Sequence, residues 1–485
     1  MSYFFQNETK DIVSDSVEGF LQYSHTPVAK LDVASPDINV IVRPDWTKEK
    51  ANQQVAIVSG GGSGHEPMHA GFVGKGMLTA AVCGGLFASP SYEAVLSAIL
   101  HVAGEAGVFV IVKAYTGDCL IFGLAVEKAK ALGVKVEMII FSDDVSIPDH
   151  PRPRGLAGTI LMHKICGHLA EQKKSLAEIK QTADLVMASI KTIGGSLTSC
   201  RTPTSTNDNR VKPGHAELGL GIHGEPGVEV IDTQNVDKII NTMVRKLSSP
   251  FPGKNEEPHL PIAVFLNNLG GNSNLEMGIV CASLLKHKFC RDHAKLLIAP
   301  PALCTSLDMK GFSITFLTLR EGFEEALRAP VETQAWVEPV DVHPPLTLKP
   351  RNQEGIAKKK YTPSRNEKVE LILQTITSTV IANEENLNNL DSFTGDGDTG
   401  LTFASGSPSG VEKLNKHLLP CNDLPALFEN IAELLGQSMG GSSGILLSIF
   451  LLQSAASLRT GKPLDESLKD GVLKMMELGG AKLGF

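Results

Sequence analysis

Six short apolar runs recur in the first two thirds of this chain, and nothing like them recurs afterwards. They are Val55–Val58, Val108–Val112, Val136–Phe141, Ile262–Leu266, Leu296–Ile298 and Ile314–Leu317. Each has strand length, and stretches of helical periodicity lie between them: Tyr92–Ala103, Phe122–Leu132 and Leu156–Ala170. This alternation predicts an α/β domain over 1–338 whose chemistry sits in the loops that follow strands. A stretch dominated by Arg, Thr, Pro, Ser and Asn, Cys200 to Pro213, divides it into subdomains of about 1–199 and 214–338. Pro339, Pro344, Pro345, Pro350 and Pro363, with Lys358, Lys359 and Lys360, mark an exposed linker over 339–365. Beyond it, Val369, Ile372, Ile376, Val380 and Ile381 recur at helical spacing, as do Leu424, Leu427, Ile431 and Leu434. The remainder, 366–485, is therefore expected to be all-α, with helices near Glu367–Leu390, Leu424–Gly436, Ile445–Leu458 and Leu464–Leu478.

Charge and composition narrow the function classes. The 45 basic and 53 acidic residues give a net charge of −8, and aromatics make up only 5%. A chain without a basic face or stacking platforms is not expected to bind nucleic acid. Met1 to Glu8 lacks the basic start and apolar core of a signal peptide, and Gly444–Leu458 is too short and too interrupted to span a bilayer. The eight cysteines form no C-x-x-C pair, which suits a reduced, cytoplasmic protein with no membrane partner.

Against that background two histidines stand out. His65 lies in Gly60-Gly61-Gly62-Ser63-Gly64-His65-Glu66-Pro67, directly after an apolar run, and His223 in Gly219-Leu220-Gly221-Ile222-His223-Gly224-Glu225. Glycine on both sides lets a small molecule approach the imidazole, which suits a base or nucleophile better than core packing. Lys113 and Asp118 bracket a Tyr-Thr-Gly turn after another run, and Asn267-Asn268-Leu269-Gly270-Gly271 follows a third. His69, His163, His168 and His215 lack such framing and read as structural or solvent-exposed. The Gly219-x-Gly221-x-x-Gly224 match to a dinucleotide fingerprint is rejected, because Glu225-Pro226-Gly227 and a β-like run follow where a helix is required.

The all-α part carries its own signals. Asp391, Asp396 and Asp398, spaced by glycines, offer oxygen ligands of the kind Mg²⁺ prefers, although Asp-Gly-Asp equally fits a solvated acidic turn. Counting from Asp396, Leu401 and Ser407 stand where an EF-hand needs Gly and Glu, so the loop is not one. Met439-Gly440-Gly441-Ser442-Ser443-Gly444 opens an apolar helix. Alone it reads as an N-cap; beside a metal-capable loop it fits a phosphate. With no G-x-x-x-x-G-K-[ST], a P-loop is excluded.

Taken in order, these motifs resemble one family along nearly the whole chain: the dihydroxyacetone kinases of the ATP-dependent, fused form. The resemblance implies a two-subdomain α/β unit that dimerises and binds dihydroxyacetone, followed by an all-α ATP domain. It implies His223 as the nucleophile that holds the ketone as a hemiaminal. Gly62, Ser63, Gly64, His65, Lys113 and Asp118 would contact the substrate, with His65 and Asp118 moving protons. Asp391, Asp396 and Asp398 would hold Mg²⁺, and Asp398, Thr399, Gly400, Leu401, Thr402, Gly441, Ser442 and Ser443 would contact ATP. D-Glyceraldehyde is an expected second substrate. In this family Gly-Gly-Ala-Lys runs on into Pro-Gly-Asp-Arg-Thr-Met and further helices, whereas here Gly479-Gly480-Ala481-Lys482 is followed by Leu483-Gly484-Phe485. The ATP domain is therefore expected to be incomplete, and a chain that binds dihydroxyacetone without kinase activity is the rival reading.

Overall fold

The computed structural model describes residues 4–33, 38–147, 153–203, 210–232, 235–249, 260–350, 361–393, 395–439 and 441–480; for 406–411 and 441 it describes the backbone alone. The chain divides into two compact units, Met1–Pro345 and Leu346–Phe485.

The first unit contains two sheets. One has six strands, β1 (Ala29–Lys30), β2 (Asn39–Val42), β3 (Ala56–Ser63), β4 (Ala80–Leu86), β5 (Val108–Lys113) and β6 (Val136–Phe141), in the order β1-β2-β4-β3-β5-β6. Its β4-β3-β5-β6 core is parallel. The other has seven, β7 (Ile190–Ser196), β8 (His215–Leu218), β9 (Glu229–Asp232), β10 (Ile262–Asn268), β11 (Ala294–Ile298), β12 (Gly311–Thr318) and β13 (Val340–Asp341), in the order β13-β11-β10-β12-β7-β8-β9. Only the β10–β11 pair is parallel.

One apolar core joins the inner faces of both sheets: Ile57, Phe109 and Ile111 on the first, Phe265, Ile298 and Leu317 on the second. Helix Thr159–Glu171 is buried between them over nearly its whole circumference. Helices Tyr92–Val102 and Thr116–Ala131 cover the outer face of the first sheet, and Val236–Ser248 and Asn274–Lys286 that of the second. The layers are thus helix, sheet, helix, sheet, helix, an α/β architecture that leaves the loops at the strand ends to face one another.

All six apolar runs overlap observed strands and the β-like run after Gly227 is β9, but β1, β2, β4, β7, β8 and β13 were not expected. Strands such as β4 (Ala80–Leu86) and β7 (Ile190–Ser196) are rich in Ala and Gly and carry no run of large apolar residues. The subdomain break also moves. Because β7 pairs with β12 and β8, the second subdomain begins before residue 190, and Cys200–Pro213 is a connection inside its sheet, with residues 204–209 outside those described. The segment read as a linker contributes at both ends: β13 pairs with β11, and Ser364 bridges Pro420, while 351–360 lie outside the described residues.

The second unit is all-α, with a small core of Leu414, Leu419, Cys421 and Leu427. Its described residues form six helices where four were expected: Glu367–Ala382, Glu384–Asp391, Thr399–Asn415, Leu424–Ser438, Gly441–Arg459 and Leu464–Gly479. The expected Glu367–Leu390 helix is broken at Asn383, and Thr399–Asn415 was hidden by its Gly, Ser and Pro content. Ser442–Arg459 has the length and composition of a membrane span, a test that the core helix of a soluble protein also passes, and the helix runs beyond the expected Ile445–Leu458 at both ends. It packs between Leu424–Ser438 and Leu464–Gly479, and Ser448 and Ser457 donate to the Ala432 carbonyl and the Asp470 carboxylate on those two neighbours. Residues 481–485, which carry the expected departure from the family pattern, lie outside the described residues.

Candidate active site

Three loops converge at the facing sheet ends. The first, Gly64–Glu66, follows β3; the second, Leu303–Leu307, follows β11; the third, Gly219–Glu225, joins β8 to β9. Backbone bonds lace the first two together: Thr305 N–H donates to the His65 carbonyl, and Leu307 N–H to that of Gly64. The Ser306 hydroxyl donates to the Ile222 carbonyl and so ties in the third. Buried Asn267, at the end of β10, braces the middle loop. Its Oδ1 accepts from Leu303 N–H and Cys304 N–H, and its Nδ2 donates to the Cys304 carbonyl. The Asn267–Gly271 segment is thus a support for the site.

This lacing brings the two histidines, far apart in sequence, edge to face with ring centroids 4.8 Å apart. Phe87 stacks on His65 at 5.0 Å, and both Phe87 and Tyr115 meet the His223 ring edge-on. His65 is fully buried, and its Nδ1 lies 2.8 Å from the Thr305 carbonyl. A carbonyl only accepts, so Nδ1 carries the proton and Nε2 is a bare acceptor. That Nε2 is buried without a protein partner. Burial, with His223 and Lys113 nearby, holds His65 well below the usual histidine range and hence neutral.

His223 is partly exposed, and Glu225 grips it twice. Oε1 accepts from Nδ1 at 3.0 Å, and Oε2 from the backbone N–H at 3.0 Å. The carboxylate fixes the proton on Nδ1, which leaves the lone pair on Nε2. Burial pushes Glu225 up, but its bonds to His223 prevail and its pKa is lowered overall. Arg154 supports the same loop: it pairs with Asp144 after β6 and donates to the Gly219 carbonyl at 2.6 Å.

Lys113 ends β5 and Asp118 sits in the first turn of Thr116–Ala131; both are buried. A side chain on Gly61 would begin 3.0 Å from Lys113 Nζ and 3.5 Å from Asp118 Oδ2, so the missing Cβ is the space between them. Ser89 donates to Asp118 Oδ1 at 2.5 Å. Gly62 comes close to the Phe87–Ala88 backbone, Gly64 to the Phe87 ring, and Ser63 donates to the Gly84 carbonyl. Those three residues shape the loop from behind. His69, read from sequence as structural, lies with Nε2 2.5 Å from Lys113 Nζ, and His163 is buried behind it. The sequence signal was its position four residues after His65 in one loop. Glu225, Thr305 and Tyr115 were also not singled out, since only folding places them.

In the second unit, side-chain oxygens of Asp391, Asp396 and Asp398 lie within 4.8 Å of one another. Asp391 Oδ2 accepts from the N–H groups of Gly397, Asp398 and Thr399, which wraps the loop round its carboxylate. Asp398 is raised above the usual carboxylate range, chiefly by the charge of Asp396. Crowded carboxylates at the start of helix Thr399–Asn415 fit a divalent cation. The amides of Thr399, Leu401 and Thr402 already have acceptors, on Asp391, Asn388 and Asp398. Gly400 packs so closely on Glu384 that an added Cβ would lie 2.0 Å from its carbonyl oxygen. Gly441, Ser442 and Ser443 open helix Gly441–Arg459, with the Ser442 side chain exposed, the Ser443 side chain half-buried, and Gly440 outside the described residues.

A pair of apposed histidines in one unit and a carboxylate cluster at a helix start in the other are compatible with a two-domain small-molecule kinase. The Dak1 domain model matches residues 25–335 and the DAK2 domain model residues 393–484. Dihydroxyacetone kinase of Citrobacter freundii is 46% identical over 489 residues, 100% of this chain and 86% of that protein. Human triokinase/FMN cyclase is 36% identical, over 91% of this chain and 78% of its own. The crystal structure of the C. freundii kinase with AMP-PNP and Mg²⁺ superposes with a TM-score of 0.77 at 45% identity, covering 100% of this chain and 88% of that one. The chain belongs to the dihydroxyacetone kinase family.

Proposed function

We propose that this protein transfers the terminal phosphoryl group of ATP to a hydroxyl of dihydroxyacetone while His223 holds the ketone as a hemiaminal. The observation that carries this reading is the double grip of Glu225, which leaves His223 Nε2 as a free lone pair 4.8 Å, ring to ring, from a buried basic histidine. Nε2 adds to the carbonyl carbon, the C=O π pair moves to oxygen, and Nδ1 releases its proton to Glu225. His65 Nε2, bare at rest, takes a proton from a water beside the substrate and passes it to that oxygen, while Glu225 gives the proton from Nδ1 back to solvent, so the two transfers balance. A polyol such as glycerol has no carbonyl and is not captured.

Lys113 and Asp118, on either side of the Gly61 space, bind a substrate hydroxyl, and Asp118 receives its proton as oxygen attacks phosphorus. Asp391, Asp396 and Asp398 would hold Mg²⁺, which when bound neutralises and orients the ATP phosphates. Ser442 and Ser443, at their helix start, cap those phosphates. D-Glyceraldehyde, another three-carbon carbonyl, is a second substrate. The enzyme works as a homodimer in the cytosol, where its eight free cysteines stay reduced.

Carbonyl-¹³C-labelled dihydroxyacetone tests the proposal. On binding, its resonance moves from the ketone to the acetal region, and His223→Ala abolishes the shift. A ketone signal that stays put in the parent chain overturns the hemiaminal. A coupled assay with no ATP turnover overturns the kinase reading.

A further inference from the structure

Behind Lys113 runs a buried chain of polar groups that the reaction above does not use. Ser59, on β3, is fully buried, and its hydroxyl donates to the Ile111 carbonyl on β5 at 2.7 Å. A hydroxyl has one hydrogen, so towards its other neighbours Ser59 Oγ only accepts. Those neighbours are His163 Nε2 at 3.2 Å and His69 Nδ1 at 3.4 Å. Each nitrogen must therefore carry a proton. Burial, with the charge of Lys113, pushes both imidazoles down, His163 to about 3, so each holds a single proton. His69 Nε2 is then a bare acceptor, 2.5 Å from the Lys113 ammonium. The opposite tautomer would set donor against donor at that distance. His163 Nδ1 is left as an acceptor, and it is buried with no partner, as this assignment requires.

We propose that Ser59 is a positioning residue: by fixing the tautomer of His69 it anchors one hydrogen of Lys113 and aims the other two at the substrate. The three termini surround one point, since a Cβ on Gly61 would lie 3.0 Å from Lys113 Nζ, 3.5 Å from Asp118 Oδ2 and 3.8 Å from His69 Nε2. The proposal rests on Lys113 being a substrate contact.

The test uses the full chain with ¹⁵N-labelled histidine. Ring ¹⁵N–¹H correlations are expected to show His69 protonated at Nδ1 and His163 at Nε2. In Ser59→Ala the two ring nitrogens of His69 move toward averaged shifts. In the same variant kcat/KM for dihydroxyacetone falls on the order of tenfold to a hundredfold, while the ¹³C adduct on His223 and a cooperative melt persist. A His69 proton on Nε2 in the parent chain overturns the proposal, and so does Ser59→Ala with unchanged kcat/KM. Loss of the adduct from the parent, with the tautomers as expected, counts against the His223 reading alone.

Discussion

At the scale of single residues, what each Nδ1 touches separates two similar imidazoles. A carbonyl fixes the His65 proton on Nδ1 while burial keeps the ring neutral; a carboxylate grips His223 at both Nδ1 and the backbone N–H. Glu225→Gln keeps an acceptor for Nδ1 but removes the charge that draws the proton away. Its kcat/KM for dihydroxyacetone should fall on the order of 100-fold, with little change in the melting temperature; steady-state kinetics and a thermal melt decide it. The three neutral histidines also make the first unit acid-labile. His65 and His69 are held well below their ordinary value, and His163 titrates only at about 3. The unfolded chain therefore binds more protons than the fold once pH drops below about 6.5. Stability is intact above that value and is lost as pH falls toward about 3, by about 1.4 kcal/mol per pH unit for each histidine. Urea midpoints at several pH values should show that slope, reduced by one proton in His163→Gln. A midpoint flat between neutral pH and about pH 5 would refute it. The glycine framing made His65 and His223 visible in the sequence; Ser59, His69 and Thr305 had no such mark, because their roles are contacts between strands and loops remote in the chain.

At the scale of elements, strands buried on both faces were legible because both faces must be apolar, as in β5 with all six residues buried. Strands built from Gly and Ala were not, since close packing there comes from small size and leaves no apolar pattern. Helix Thr399–Asn415 is the sharper case: its Gly, Ser and Pro content argues against a helix, and contact with its neighbours overrides propensity. Gly400 allows that contact. In Gly400→Ala the added Cβ should force Thr399–Asn415 away from Glu384–Asp391 and spread the carboxylates. ATP turnover should drop at least tenfold, with the Mg²⁺ requirement shifted to higher concentration and the His223 adduct unchanged. Titrating Mg²⁺ in the coupled assay checks this, and wild-type dependence would refute it.

At the scale of the whole molecule, two units with separate cores each carry one of the two candidate sites. Their lesions should therefore be independent. Asp396→Asn with Asp398→Asn should abolish ATP turnover and leave the ¹³C adduct intact. His223→Ala should do the reverse for capture, keeping Mg²⁺-dependent nucleotide binding by calorimetry. Loss of the adduct in the aspartate double variant would show that substrate capture depends on the second unit.

The change of periodicity after residue 335 was enough to establish an α/β part followed by an all-α part, and glycine-framed histidines and aspartates drew attention to the two candidate sites. Those are local properties: an apolar period or a bare backbone is written in neighbouring residues. Which nitrogen carries each proton was settled by folding alone. The Thr305 carbonyl, the Glu225 carboxylate and the Ser59 hydroxyl act through hydrogen bonds of about 3 Å that exist only once the sheets share a core. An imidazole can be base, nucleophile or support, and its partner at Nδ1 selects among them.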